Sequence, residues 1–290
     1  MRERIPGAID AVVNIHTKEA LAGRPDRRPF LSKLRVDPKI QTGFTLEETL
    51  AEMDAAGIDQ AFLIAAKVGT LGHPACYHVP YELVAEAVAR YPKRFFGLAG
   101  VDPNEGMDGV RRLEHAIKEL GFIGAHSYPH WFELAPDHAR YYPFYAKCVE
   151  LDVPIQLQVG QSHIYDPRYP RRSVGRPIAL DAVACDFPDL KLVGIHIGIP
   201  WTDEMIAMAW KHANVYIGAD AHSPKYWPPS FVQYLNTYGQ DKVIFGTDFP
   251  ILRFERTVAE IEELNLRPHV MRKLFSENVR RLYRLGAAQS

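Results

Sequence analysis

Lys191-Leu192-Val193-Gly194-Ile195-His196-Ile197-Gly198 is an apolar run of strand length that closes on a histidine. Helical patterns flank it on both sides, over 179–187 and over 202–212, where Thr202-Asp203-Glu204 supplies an N-terminal signal. A buried strand between two helical crossovers is the unit of a parallel sheet. Working outward, the same unit recurs. Downstream lie apolar runs at 215–219 and 242–247, with a helix over 231–238 between them and terminal helices over 255–264 and 268–285. Upstream, runs at 154–159, 121–125, 95–101, 60–66 and 8–15 alternate with helices over 142–151, 107–120, 80–90 and 45–56. Thr45 with Glu48 forms a capping-box signature for the last of these, and Gly57 stops it.

Eight such strands are the number that closes a barrel, so the expected fold is an α/β (β/α)8 TIM barrel occupying 1–290 as one domain. An open doubly wound sheet shares this alternation. Two irregular stretches, 17–43 and 162–176, each follow a strand end and are expected to lie over the barrel mouth as active-site loops.

The charge balance narrows the class of partner. With 34 basic and 35 acidic residues among 290, the chain carries a formal charge of −1, and no polybasic block points to nucleic acid or an anionic membrane. The expected partner is a small-molecule substrate. Cys76, Cys148 and Cys185 are widely spaced and odd in number, which excludes a disulfide framework and a CxxC metal site. No run approaches the roughly 18 apolar residues of a membrane span, and no apolar leader follows Met1, so a cytoplasmic location is expected.

Polar side chains recur where the strands end. The first strand closes on Asn14-Ile15-His16, and the fourth runs into His126 with His130 beyond it. The fifth carries Gln158, the sixth His196, the seventh Asp220 and His222, the eighth Asp248. One such histidine alone is more often a satisfied core residue. The whole set at one end of successive strands points to a shared mouth. Arg168, Arg171, Arg172 and Arg176 follow the fifth strand and suit a carboxylate clamp, with Arg172 as the candidate contact; a solvated loop is the plainer reading. Asn14, Gln158, His130 and His222 are the other candidate substrate contacts.

These elements resemble the amidohydrolase-related family (amidohydrolase family 2) typified by aminocarboxymuconate semialdehyde and resorcylate decarboxylases. The carriers are Gly121-Phe122-Ile123-Gly124-Ala125-His126, Leu151-Asp152-Val153-Pro154-Ile155, Asp186-Phe187-Pro188-Asp189-Leu190-Lys191 with Ile195-His196-Ile197-Gly198, Phe245-Gly246-Thr247-Asp248-Phe249-Pro250, and Ser276-Glu277-Asn278-Val279-Arg280-Arg281-Leu282. The resemblance implies a divalent metal held by a first-strand HxH pair, a fifth-strand histidine and the eighth-strand aspartate. It also implies that His196 is the general base and Asp248 a ligand or proton acceptor. Here Asn14 and Gln158 replace two imidazoles. Asp10 also lies four residues before Asn14, where the resemblance calls for two, so the first strand can slide against the family pattern.

A neutral amide is a poor zinc ligand. A rebuilt site of His16, His126, His196 and Asp248 would offer three nitrogens and one oxygen, acceptable for one divalent metal, zinc by that chemistry. Without metal, His196, His126 and Asp248 remain an acid–base set. The reading is thus a hydrolase or carbon–carbon lyase of decarboxylase type, acting on a small carboxylated, aromatic or ring-cleaved substrate. A metal-independent lactonase or hydratase, and a catalytically retired barrel that binds a ligand, are the rivals. The resemblance also implies a homodimer.

Overall fold

The computed structural model describes residues 5–25, 37–162, 166 and 168–286. Parts of both anticipated mouth loops (26–36, 163–165 and 167) and the two chain ends lie outside the described residues. Eight parallel strands run in chain order around one sheet: β1 Ile9–Asn14, β2 Gln60–Ala65, β3 Phe95–Gly100, β4 Gly124–Ser127, β5 Ile155–Gln158, β6 Leu192–Ile195, β7 Val215–Ala219 and β8 Val243–Phe245. The sheet closes just beyond β8. Asp248 N donates to the Val12 carbonyl and Asn14 N to the Phe249 carbonyl, both at 2.9 Å. This closure excludes the open sheet.

Eight crossover helices wrap the strands: α1 Leu46–Ala56, α2 Tyr81–Arg90, α3 Gly106–Lys118, α4 Tyr142–Glu150, α5 Ala179–Asp186, α6 Thr202–Lys211, α7 Pro229–Asn236 and α8 Phe254–Glu262. The strands are buried on both faces, which is why they read as nearly continuous apolar runs. The capping box of α1 forms as its sequence requires, with Thr45 Oγ1 accepting from Glu48 N at 3.1 Å and Glu48 Oε2 from Thr45 N at 2.9 Å. Gly57 ends the helix with φ +77°, a conformation only glycine adopts freely. A final helical segment ends in Asn278–Tyr283, and Tyr283 packs against Phe62 of β2 with ring centroids 4.8 Å apart.

Two details place the site. β1 carries a bulge, its register against β2 shifting between Asp10 and Val13. β4 begins three residues later than its apolar run suggests, so His126 and Ser127 lie within the strand. Both shifts change which polar side chains reach the mouth.

Candidate active site at the barrel mouth

Asn14 is the hub of the mouth. Its Nδ2 donates to Asp248 Oδ1 at 2.7 Å and to the Phe249 carbonyl at 3.1 Å, while Tyr128 OH donates to its Oδ1 at 3.0 Å. A carbonyl can only accept, so Phe249 fixes which end of the amide faces Asp248. Asp248 is only partly covered, and its backbone sits at φ +57°, a conformation costly for a residue with a Cβ. The chain turns there, three residues after β8 ends, where closure onto β1 begins.

A second cluster lies beside it. The Asp220 carboxylate accepts from His196 N at 2.8 Å through Oδ1, and its Oδ2 is 3.2 Å from His196 Nε2. Gln158 Nε2 lies 3.1 Å from His196 Nδ1, so both imidazole nitrogens face named partners. His196 and Ile197 adopt φ +71° and +58°, and the ring of His222 stands 6.4 Å from that of His196. Strained backbone gathered at one mouth is a mark of a functional site.

Beneath these groups the barrel interior is polar. Asp10 accepts from Thr247 Oγ1 at 2.6 Å, from Thr247 N at 3.1 Å and from Val12 N at 3.0 Å. Burial pushes its carboxyl up to about 7 against those hydrogen bonds, with Asp248 adding repulsion. Burial, with the neighbouring Asp248 charge behind it, likewise holds the Asp220 carboxyl well above the usual carboxylate range. Two buried carboxyls can therefore keep protons near neutral pH, as acid catalysis requires.

His126 belongs to an axial chain. Gln156 donates to the Ala11 carbonyl at 2.8 Å, which turns its Oε1 toward His126 Nδ1 at 3.0 Å, and its Nε2 also meets Tyr283 OH at 3.0 Å. Burial brings this imidazole down to about 4, so it stays neutral, with a buried Nε2 that has no partner among the described residues.

Several expected site residues lie elsewhere. His16 turns away from the mouth: its Nε2 lies 2.7 Å from the Ile40 carbonyl and so must carry a proton, and its Nδ1 faces the Arg24 guanidinium at 3.5 Å. Neither nitrogen can ligate a metal. His130 is buried against the loop after β5. Its Nδ1 accepts from Val174 N at 3.1 Å, and a Cβ on Gly175 would stand 2.8 Å from its Nε2, so it clips that loop. Arg172 is exposed, with its backbone N held by Glu133 at 3.0 Å. Arg171 is the arginine that turns inward, with its guanidinium 4.6 Å over the Trp131 ring and a buried Nη2 without a partner among the described residues. Arg168 and Arg176 pair with Asp166 and Glu204.

The four expected metal ligands do not assemble. Among the described residues, no three of His16, His126, His196 and Asp248 bring donor atoms within 4.8 Å of one another; the group that does is Asp181, Cys185 and His212, between α5 and α6 at the opposite end of the barrel. The mouth as built does not fit a metal centre of imidazoles and carboxylates.

Sequence reasoning gave no chemical role to Asp10 or Gln156, and named Asp220 only as one of the polar strand ends. Gln156 was findable, because Gln156 and Gln158 alternate with Ile155 and Leu157, placing two amides on one face of β5. Asp220 ends an apolar strand as Asp248 does, yet only the fold sets it beneath His196.

Comparison with known proteins agrees with this architecture. A family profile described as Amidohydrolase matches residues 33–285. A gamma-resorcylate decarboxylase from a Polaromonas species is 25% identical over 256 residues, covering 71% of this chain and 75% of that protein. An uncharacterised TIM-barrel protein from Bordetella bronchiseptica superposes with a TM-score of 0.77 at 25% identity, covering 96% of this chain and 98% of the other. The 5-carboxyvanillate decarboxylase of Novosphingobium aromaticivorans, solved with manganese and 4-hydroxy-3-methoxy-5-nitrobenzoic acid, superposes with a TM-score of 0.74 at 18% identity, covering 98% and 100%. The ion there is manganese, so the zinc expected from imidazole donors finds no counterpart in that structure. Among the described residues, no helix is long and apolar enough to cross a membrane.

Proposed function

Because the chain belongs to amidohydrolase family 2, we propose that it is a carboxy-lyase that removes the carboxyl group of a small hydroxylated aromatic acid. Its relatives include decarboxylases of such acids, gamma-resorcylate and 5-carboxyvanillate among them. The observation that carries the reading is the meeting of a partly exposed carboxyl, Asp248, with a buried His196–Asp220 pair at one barrel mouth.

Decarboxylation of an aromatic acid needs a proton at the ring carbon that bears the carboxylate. The carbon–carbon bond then breaks, its electron pair returns to the ring, and carbon dioxide leaves. We assign the transfer of that proton to Asp248, which would first take it from the neighbouring Asp220 carboxyl that burial keeps protonated. Asn14 holds its Oδ1 by a hydrogen bond and so fixes the orientation of the carboxyl. His196 and Asp220 lie beside it as an acid–base pair that can restore the proton, and a ring hydroxyl on the substrate suits Tyr128 and His222 at the rim. His126 stays neutral and offers the substrate a hydrogen-bond acceptor.

Incubation with a panel of hydroxybenzoates carrying a 13C carboxyl, read by NMR for labelled carbon dioxide, tests the assignment. Turnover should fall by about 100-fold or more in Asp248→Asn, the typical contribution of a positioned proton donor. Full turnover by that variant, or products formed only by addition of water, would sink the carboxy-lyase reading.

A further inference from the structure

We infer that the mouth of this barrel holds no divalent cation, and that the Asn14 amide fills the position from which a cation would bind Asp248. The donors themselves stand against a cation. A cation on Asp248 Oδ1 would have to displace an N–H already 2.7 Å away, and an amide nitrogen is not a ligand. Nor can the amide turn its oxygen to the metal. The Phe249 carbonyl 3.1 Å from Nδ2 would then face another oxygen, and this hydrogen bond would be lost.

Sliding the first strand does not rescue the site. Placing the histidine pair over Asn14 and His16 supplies an imidazole whose nitrogens face Ile40 and Arg24. Placing it over Val12 and Asn14 supplies none; the Val12 side chain packs at the level of Asp220, since a Cβ on Gly246 would stand 3.0 Å from both of their Cβ atoms. At the fifth strand the imidazole is replaced by Gln158, whose amide engages His196. Its Oε1 is a carbonyl donor of the kind manganese accepts, but a single carbonyl cannot replace the several oxygen ligands that such ions demand. The hydrogen-bonded amide also offers Asp248 the partial positive charge that a cation would supply, in weaker and permanent form.

The inference stands apart from the proposed reaction, because its readout is metal content and not turnover. The full chain, purified without chelator from medium supplemented with manganese and zinc, is analysed by mass spectrometry alongside Asp248→Asn and Cys185→Ser. Mn2+ is then titrated into the native chain and followed by the electron paramagnetic resonance signal of the free ion. The expected result is manganese far below one ion per chain, the same in the native protein and Asp248→Asn, with no saturable stoichiometric uptake. Any zinc carried by the native protein should vanish in Cys185→Ser, marking it as held by the outer Asp181–Cys185–His212 group. One ion per chain that survives Cys185→Ser, or is lost in Asp248→Asn, would overturn the inference. So would stoichiometric Mn2+ uptake by the native chain, which needs no variant to fold.

Discussion

Gln156 has three buried partners and serves all of them with one amide: the Ala11 carbonyl, Tyr283 OH and His126 Nδ1. Replacing it by leucine leaves those groups in an interior that water does not reach. Gln156→Leu should therefore lower unfolding stability by roughly 2–4 kcal/mol, measured by urea denaturation, because stranded buried polar groups cost more than a hydrogen bond returns. A loss within a few tenths of a kcal/mol would mean the axial chain is decorative. Single residues also show where the sequence was readable. Asp248 and His196 stand out because a charged or titratable side chain at the end of an apolar strand has no structural need to be there. His16 was misplaced because the bulge in β1 is invisible in residue order, and a one-residue shift sends a side chain to the other face. Asp220 gained its meaning only when β6 and β7 set it under His196.

Among the elements, α1 was legible to the residue, since capping box and terminal glycine are local chemistry. Thr45→Ala should cost about 1 kcal/mol of stability in the same denaturation assay, through loss of the bond to Glu48 N. β4 was less legible. Its apolar run marks a buried segment, whereas strand assignment depends on pairing, and Ile123 enters the barrel by donating to Gly97 O at 3.0 Å before the ladder proper begins. Apolarity reports burial; register is set by neighbours that the sequence does not show. The loop after β5 makes the same point. Its arginines read as one cluster, yet His130 and Trp131 sort them, Arg171 inward and Arg172 outward.

At the scale of the whole molecule, titration of buried groups links the barrel to pH. Burial depresses His130 from 6.5 to about 4, so the folded state keeps this imidazole neutral where the unfolded chain protonates it. Its contribution is fully present above pH 6.5 and is lost as pH falls toward about 4, since the unfolded state then binds the extra proton. The stability difference between the native protein and His130→Gln should shrink by roughly 3 kcal/mol between pH 7 and pH 4, measured by denaturation at each pH. Asp10 has the opposite sign: its carboxyl, raised to about 7, makes the fold less stable as pH rises from about 4 to 7. Comparison with the single variant isolates the histidine from it.

The central claim is that one mouth, built from Asp248, Asn14, His196 and Asp220, takes the substrate. It is tested most directly by labelling the histidines with 15N and titrating the native protein with a nitrophenol in which a nitro group replaces the carboxylate, leaving no carbon dioxide to lose. The account predicts that the His196 and His222 imidazole signals move together and saturate, while those of His16 and His130 stay in place. Movement of His16 and His130 with His196 unchanged would contradict it.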